Sequence, residues 1–146
     1  MKQYLASELL QERIVEFTLL RRPIAAICHG VLLLARARDP VTGLSVLHGR
    51  RSTCLPKYME GLAYALSFWK LGRYYRTYPL YVEDEVRAAL AKPGDFVRGP
   101  VTLGRRGSES DDGGAFVCED GDYISARWPG DAYLFARKLI ARLPPA

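Results

Sequence analysis

Three cysteines (Cys28, Cys54 and Cys118) and two histidines (His29 and His48) are the side chains best suited to nucleophilic or metal chemistry. Only one thiol has an imidazole beside it, in the run Cys28-His29-Gly30. A nucleophile placed between a strand and a helix gains in three ways. The sharp turn lifts its side chain to the carboxyl edge of the sheet, where open α/β folds bind ligands. The backbone N–H groups that follow, of His29 and Gly30, face a developing oxyanion. The positive end of the helix favours a thiolate, and cysteines so placed reach pKa values of about 3.5–7.5. His29 supplies an acid/base group, and Gly30 has no Cβ to block approach. The competing view is a buried, inert thiol beside a capping histidine, since free cysteine is among the most buried residue types. Cys54 and Cys118 lie in apolar runs and read as core, His48 precedes Gly49 in a turn, and Asp131, at the start of the last helix, reads as a helix-stabilising residue. No cysteine pair has metal-ligand spacing, and an odd count argues against a disulfide framework. Neither a metal nor a cofactor is expected.

The elements that must hold this site follow from periodicity. Ile24-Ala25-Ala26-Ile27 is a short, wholly apolar run, the mark of a central parallel strand buried on both faces. Before it, Leu5, Leu9, Ile14 and Phe17 give an amphipathic helix between Tyr4 and Leu20; after it, residues 31–37 read as a helix. Leu44 to Leu47 and Ser52 to Leu55 are strand candidates. Pro56 to Leu71 and Val82 to Ala91 are helices, the first stopped by Gly72 and the second by Pro93-Gly94. Gly104 to Gly114 is a glycine-rich loop. Ala115–Cys118 and Tyr123–Ala126 flank Glu119-Asp120-Gly121-Asp122, a hairpin signal, and a last one-faced helix begins near Pro129. Helices alternating with short apolar strands make a layered α/β domain.

At 146 residues the chain is one domain, with 49% hydrophobic and 25% charged residues, an ordinary globular composition. No apolar run reaches the roughly 18 residues of a membrane span, and residues 1–13 have no signal-peptide core, so a cytoplasmic protein without membrane contact is expected. Net charge is +5, with 12 basic and 5 acidic side chains in residues 1–80 against 9 and 11 beyond. The arginines fall in scattered pairs with no recognition motif, so a solvated basic face is favoured over nucleic-acid binding. Trp69 to Tyr81, rich in tyrosine and arginine, is read as a lid or subunit contact.

Three segments carry a family resemblance. Arg22-Pro23-Ile24-Ala25-Ala26-Ile27-Cys28-His29-Gly30 closely resembles the nucleophile-elbow segment of the ThiJ/PfpI family, in the class I glutamine amidotransferase-like superfamily. Leu47-His48-Gly49-Arg50-Arg51-Ser52-Thr53-Cys54 resembles the family's L-x-G-R-x-x-T strand. Residues 119–131, with Asp120-Gly121, Ser125-Ala126-Arg127 and Pro129-Gly130-Asp131, resemble its hairpin-to-helix join. The resemblance implies a flavodoxin-like three-layer α/β/α sandwich with a mainly parallel sheet. It also implies glyoxalase/deglycase-type, protease or chaperone relatives. Family members are usually longer and open with a strand–helix–strand region supplying an acid that touches the cysteine sulfur. Residues 1–20 resemble instead the helix just before the elbow strand, so the domain, residues 1–146, reads as N-terminally incomplete. Val31 stands where proline is common and Leu55 where tyrosine is frequent, and Lys57 to Pro79 reads as an insertion.

Two functional classes follow. In one, Cys28 attacks a small carbonyl or acyl carbon, His29 carries the proton, and the His29 and Gly30 amides hold the oxyanion. In the other, the chain is a non-catalytic relative or fragment acting in redox sensing, chaperoning or interaction. An incomplete sheet leaves apolar surface uncovered, so self-association is expected alongside a small-molecule substrate.

Overall fold

A computed structural model describes residues 1–74, 78–102 and 104–144. The amphipathic N-terminal segment forms two helices, α1 (Lys2–Leu5) and α2 (Glu8–Leu19). They are separated at Ala6-Ser7, because the Ser7 side chain accepts the Leu10 amide (3.2 Å) and starts a second helix. Strand β1 (Ile24–Ile27) follows, then a 3₁₀ turn (Cys28–Gly30) leading into α3 (Val31–Arg36). Next come α4 (Lys57–Leu71), α5 (Val82–Ala89), strands β2 (Val117–Asp120) and β3 (Tyr123–Ala126), a 3₁₀ turn (Pro129–Asp131) and α6 (Ala132–Ile140).

The sheet has the order β1-β3-β2. β1 runs parallel to β3, with Ile24 opposite Tyr123 and Ile27 opposite Ala126, and β2 is antiparallel to β3. The hairpin has Gly121 at φ +58, a value a two-residue turn demands at its first position and glycine adopts freely. α6 packs on β3, while α3 packs with α1, α2 and α5. This is the helix-flanked sheet of the flavodoxin-like sandwich. The strand expected at its centre, Ile24–Ile27, is at an edge of the described sheet, and β3 is central. The expected strands at 44–47 and 52–55 are reduced to single bridges, Arg38 with Ser45 (antiparallel) and Ser52 with Phe96 (parallel). Two backbone hydrogen bonds around each bridge are too few to extend a ladder.

The core joins Val31, Leu32 and Ala35 of α3 to Leu47, Cys54, Val82, Val86 and Tyr123. Helices α4 and α5 begin without side-chain caps at Pro56 and Tyr81, and each is capped by the other. Glu83 of α5 accepts the Lys57 amide (2.9 Å), and Glu60 of α4 accepts the Val82 amide (3.1 Å). Both carboxylates are buried, and each meets the positive end of the partner helix. Arg87 (3.0 Å) and Arg98 (2.6 Å) also hold Glu83. Burial pushes the Glu83 carboxyl up, but Arg98, the Lys57 amide and Arg87 outweigh it and hold it below the ordinary value.

Candidate functional site

Residues 24–27 are extended and residues 31–36 helical, so the backbone must reverse direction within three residues. Cys28 takes that turn with φ +59; Arg21 is the other non-glycine residue with positive φ among the described residues. A side chain at such an angle costs roughly 1–2 kcal/mol and persists only where its surroundings enforce it. The turn brings Cys28 and His29 together: Sγ lies 3.5 Å from Nδ1 of His29. The His29 backbone N–H lies close enough to the sulfur to favour its ionised form.

Cys28 and His29 open onto a cavity of about 770 Å³. Leu55, Met59, Ala63 and Trp128 give it an apolar wall, and Tyr74 and Tyr78 close one side. The Tyr78 ring lies 6.0 Å from the His29 ring, so part of the aromatic stretch lines the cavity. Residues 75–77 of that stretch lie outside the described residues. Glu60 is the buried carboxylate in the cavity wall, and Lys2 and Arg106 are its side-chain cations.

The electrostatics differ from those expected of a thiol at a helix N-terminus. Burial pushes the Cys28 thiol up to about 11. The His29 N–H opposes this, while the charges of Glu60 and Asp131 add to it. Desolvation therefore outweighs the helix end, which is here a 3₁₀ turn leading into a six-residue helix. Burial, with the nearby amino group of Met1, lowers His29 below its ordinary value, so the ring is neutral at pH 7. At rest the pair is a protonated thiol beside a neutral imidazole. Such a pair holds little standing thiolate at neutral pH, so attack requires the thiol proton to pass to His29 or to solvent base.

The remaining candidates separate cleanly. His48 is exposed in its turn and does not line the cavity. Cys54 and Cys118 are buried, as expected of core residues, and burial raises both thiols. Asp131, expected to stabilise the start of α6, makes no side-chain cap there. It is fully buried and accepts from the Phe116 amide (3.0 Å) and from the Arg127 amide (2.9 Å), Nε (3.0 Å) and Nη2 (2.8 Å). Among the described residues no group of three metal-ligating side chains forms a metal site. Sequence reasoning missed Glu60, Arg106 and Trp128 as neighbours of the thiol. The signal for Glu60 was there: a lone carboxylate on the helix face that carries Met59 and Ala63.

The three motif segments meet in space. β1 pairs with β3, Arg50 forms an ion pair with Asp122 at the hairpin turn, and the Thr53 amide donates to Ser125 Oγ (3.0 Å). Among solved structures, one is 25% identical with a TM-score of 0.70, aligned over 94% of this chain and 52% of its own. The Rapid Encystment Protein of 24 kDa from Francisella tularensis is 20% identical (TM-score 0.69; 97% and 52%), and glyoxalase III from Candida albicans is 18% identical (0.67; 97% and 52%). This chain spans about half the length of these relatives. No curated protein matches it. The family model matching residues 1–142 agrees with the motifs and the elbow, and the chain belongs to the DJ-1/PfpI family, the ThiJ/PfpI family of the motif resemblance.

Proposed function

We propose that this protein is a cysteine-dependent enzyme acting on small carbonyl or acyl compounds, of the hydrolase or glyoxalase/deglycase type, with Cys28 as the nucleophile. The observation that carries this is the positive φ of Cys28 at a strand-to-helix elbow that opens onto the cavity. Strain of that kind clusters at functional sites. In the reaction, the thiol proton passes to the neutral His29 ring as the S–C bond forms. The carbonyl π pair moves onto oxygen, which accepts from the His29 and Gly30 N–H groups. With a carbonyl compound His29 returns the proton to that oxygen; with an acyl compound the oxyanion collapses and expels the protonated leaving group. A likeness to glyoxalase III supports the carbonyl arm only as a shared fold.

A non-catalytic role is favoured by one observation, the Cys28 thiol raised to about 11, which also counts against redox sensing, since sensor thiols are acidic. The two readings part on one experiment: incubation with methylglyoxal, followed by consumption of the dicarbonyl and peptide mass mapping. An adduct at Cys28 and loss of turnover in Cys28→Ser are expected. Equal consumption by that variant would sink the enzyme.

We further propose that two copies associate through the free edge of β1, and that the protein works in the cytoplasm. The edge position of β1 and the exposed apolar residues Leu9, Phe17 and Leu19 of α2 support association. Among the described residues no helix is long and apolar enough to cross a membrane. Light scattering across a hundredfold concentration range tests the association, and a monomer throughout would end it.

A further inference from the structure

Charge in the Cys28 cavity is arranged unequally. Its buried carboxylate, Glu60, is engaged with the Val82 amide at the start of α5. Its two side-chain cations, Lys2 and Arg106, are exposed and make no ion pair among the described residues. The adjacent Arg105 shows what an arginine in this loop does when a carboxylate is within reach, pairing with Asp111 at 3.3 Å. Arg106 turns the other way, to the cavity. Its guanidinium lies over the indole of Trp128, 5.2 Å from the ring centroid, and Trp128 is itself a wall residue. Stacking holds the planar cation in place while leaving its N–H donors unspent, the state of an arginine able to grip an anion in bidentate fashion. The Trp128 Nε1–H is buried and finds no acceptor among the described residues.

Lys2 and the Met1 amino group also border the cavity, but among the described residues neither is fixed by a stacking contact as Arg106 is. The remaining groups neither compete for that anion nor supply one. His29 is neutral at pH 7, Tyr74 and Tyr78 are phenols, and the charge of Asp131 is spent on Arg127. We infer that the Cys28 cavity takes small electrophiles carrying an anionic group, such as a carboxylate, and that Arg106, stacked on Trp128, is the side chain that holds it. This inference rests on the proposed role of Cys28 and narrows it. The compound would present its carbonyl or acyl carbon to sulfur at one end and its anion to Arg106 at the other. Arg106 is a binding residue in this scheme and takes no part in proton transfer.

Two alkylating agents of nearly equal size serve as probes. In each, the Cys28 sulfur gives up its proton to His29 or to solvent base and forms a bond to the CH₂ carbon as the C–I bond breaks and iodide leaves. Iodoacetate carries the anion and iodoacetamide does not. Rate constants for Cys28 are read by peptide mass spectrometry in the wild type, Arg106→Gln and Arg106→Lys. The expected result is an iodoacetate-to-iodoacetamide ratio about fivefold lower in R106Q, the factor one cation about 4 Å from an anion gives in a water-like dielectric. R106K keeps most of the ratio, and 1 M salt erases the difference between wild type and R106Q. An unchanged ratio in R106Q overturns the inference while leaving the nucleophile intact. Labelling of Cys28 by neither reagent strikes at the nucleophile instead, and a second measurement then decides the anion. In Cys28→Ser with Trp69→Phe, Trp128 is the one tryptophan left, and propionate should quench its fluorescence saturably where propionamide does not. Quenching that R106Q abolishes upholds the site; no saturable quenching by propionate overturns it.

Discussion

Two parallel neighbours in the sheet, β1 and β3, leave it at the same end, and each passes through a 3₁₀ turn into a helix. At the exit of β3 the charges are spent on each other. Arg127 and Asp131 are fully buried, bonded to each other and, through Arg127, to the carbonyls of Pro100 (2.6 Å) and Gly114 (3.2 Å). Trp128 there has an extended backbone, φ −161. At the exit of β1 the backbone is forced to positive φ, the thiol is half-buried, and the wall is a cavity. The same local architecture serves as a brace in one place and as a site in the other. What separates them is whether the charges cancel internally or face an open space.

The largest effect expected from breaking the comparison is at the brace. Asp131→Asn leaves the Arg127 guanidinium buried without its counter-charge, and removal of one partner of a buried pair costs about 3–5 kcal/mol. Urea denaturation should show a loss of that size. The double variant Arg127→Met/Asp131→Leu should recover much of it, because both desolvation penalties disappear together. A single variant losing under 1 kcal/mol would mean the pair is not a brace.

At the site, the contrast sharpens through pH. With the thiol near 11, its ionised fraction rises about tenfold per pH unit across the neutral and mildly alkaline range. Alkylation of Cys28 by iodoacetamide should therefore climb about a thousandfold from pH 7 to pH 10 with no plateau. A plateau beginning near pH 7 would mean that the helix end wins over burial.

The contrast was only half legible in the residues. Cys28-His29-Gly30 after a four-residue apolar run marked the elbow, and the hairpin and helix positions followed from local periodicity, which needs no knowledge of partners. The thiol's protonation was not legible. It depends on the burial of the sulfur, and the residues that share its cavity, Leu55, Met59, Ala63 and Trp128, lie 27 to 100 positions away in the chain. The role of Asp131 was misjudged for the same reason: its helix-start position is local, whereas the Phe116 amide reaches it only across the fold. The strands at 44–47 and 52–55 failed because apolar residues there are buried by packing without a neighbouring ladder. The mutual capping of α4 and α5 has no local signature at all, since each cap lies more than 20 residues from the amide it serves.

That capping pair gives a third, smaller effect, intermediate between brace and site. Glu83→Gln keeps the shape but removes the charge facing Arg87, Arg98 and the start of α4, for a loss of about 2 kcal/mol at pH 7. Because the folded carboxyl is held below its ordinary value, its contribution is complete above the unfolded pKa of about 4.3 and fades as pH falls through the folded value. Wild type should therefore lose stability on acidification below about pH 5 more steeply than E83Q. Parallel slopes would remove Glu83 from the account.

The smallest effect tests the strain itself. Both Cys28→Ala and Cys28→Gly delete the thiol and its packing, so the comparison between them isolates the backbone. In an unstrained position alanine is the more stable of the two, since glycine has more conformational freedom to lose on folding, by about 0.5–1 kcal/mol in regular structure. At φ +59 the order reverses: a Cβ crowds the carbonyl that follows it, at a cost of roughly 1–2 kcal/mol that glycine does not bear. Cys28→Gly should therefore be more stable than Cys28→Ala by about 1 kcal/mol, read as a shift in denaturation midpoint at constant slope. The same pair of substitutions at Trp128, where φ is −161, should show no such advantage for glycine. Equal stability of the two Cys28 variants would mean that the turn relaxes once the thiol is gone. The strain would then be imposed by the contacts of the sulfur, and β1 would leave the sheet as freely as β3.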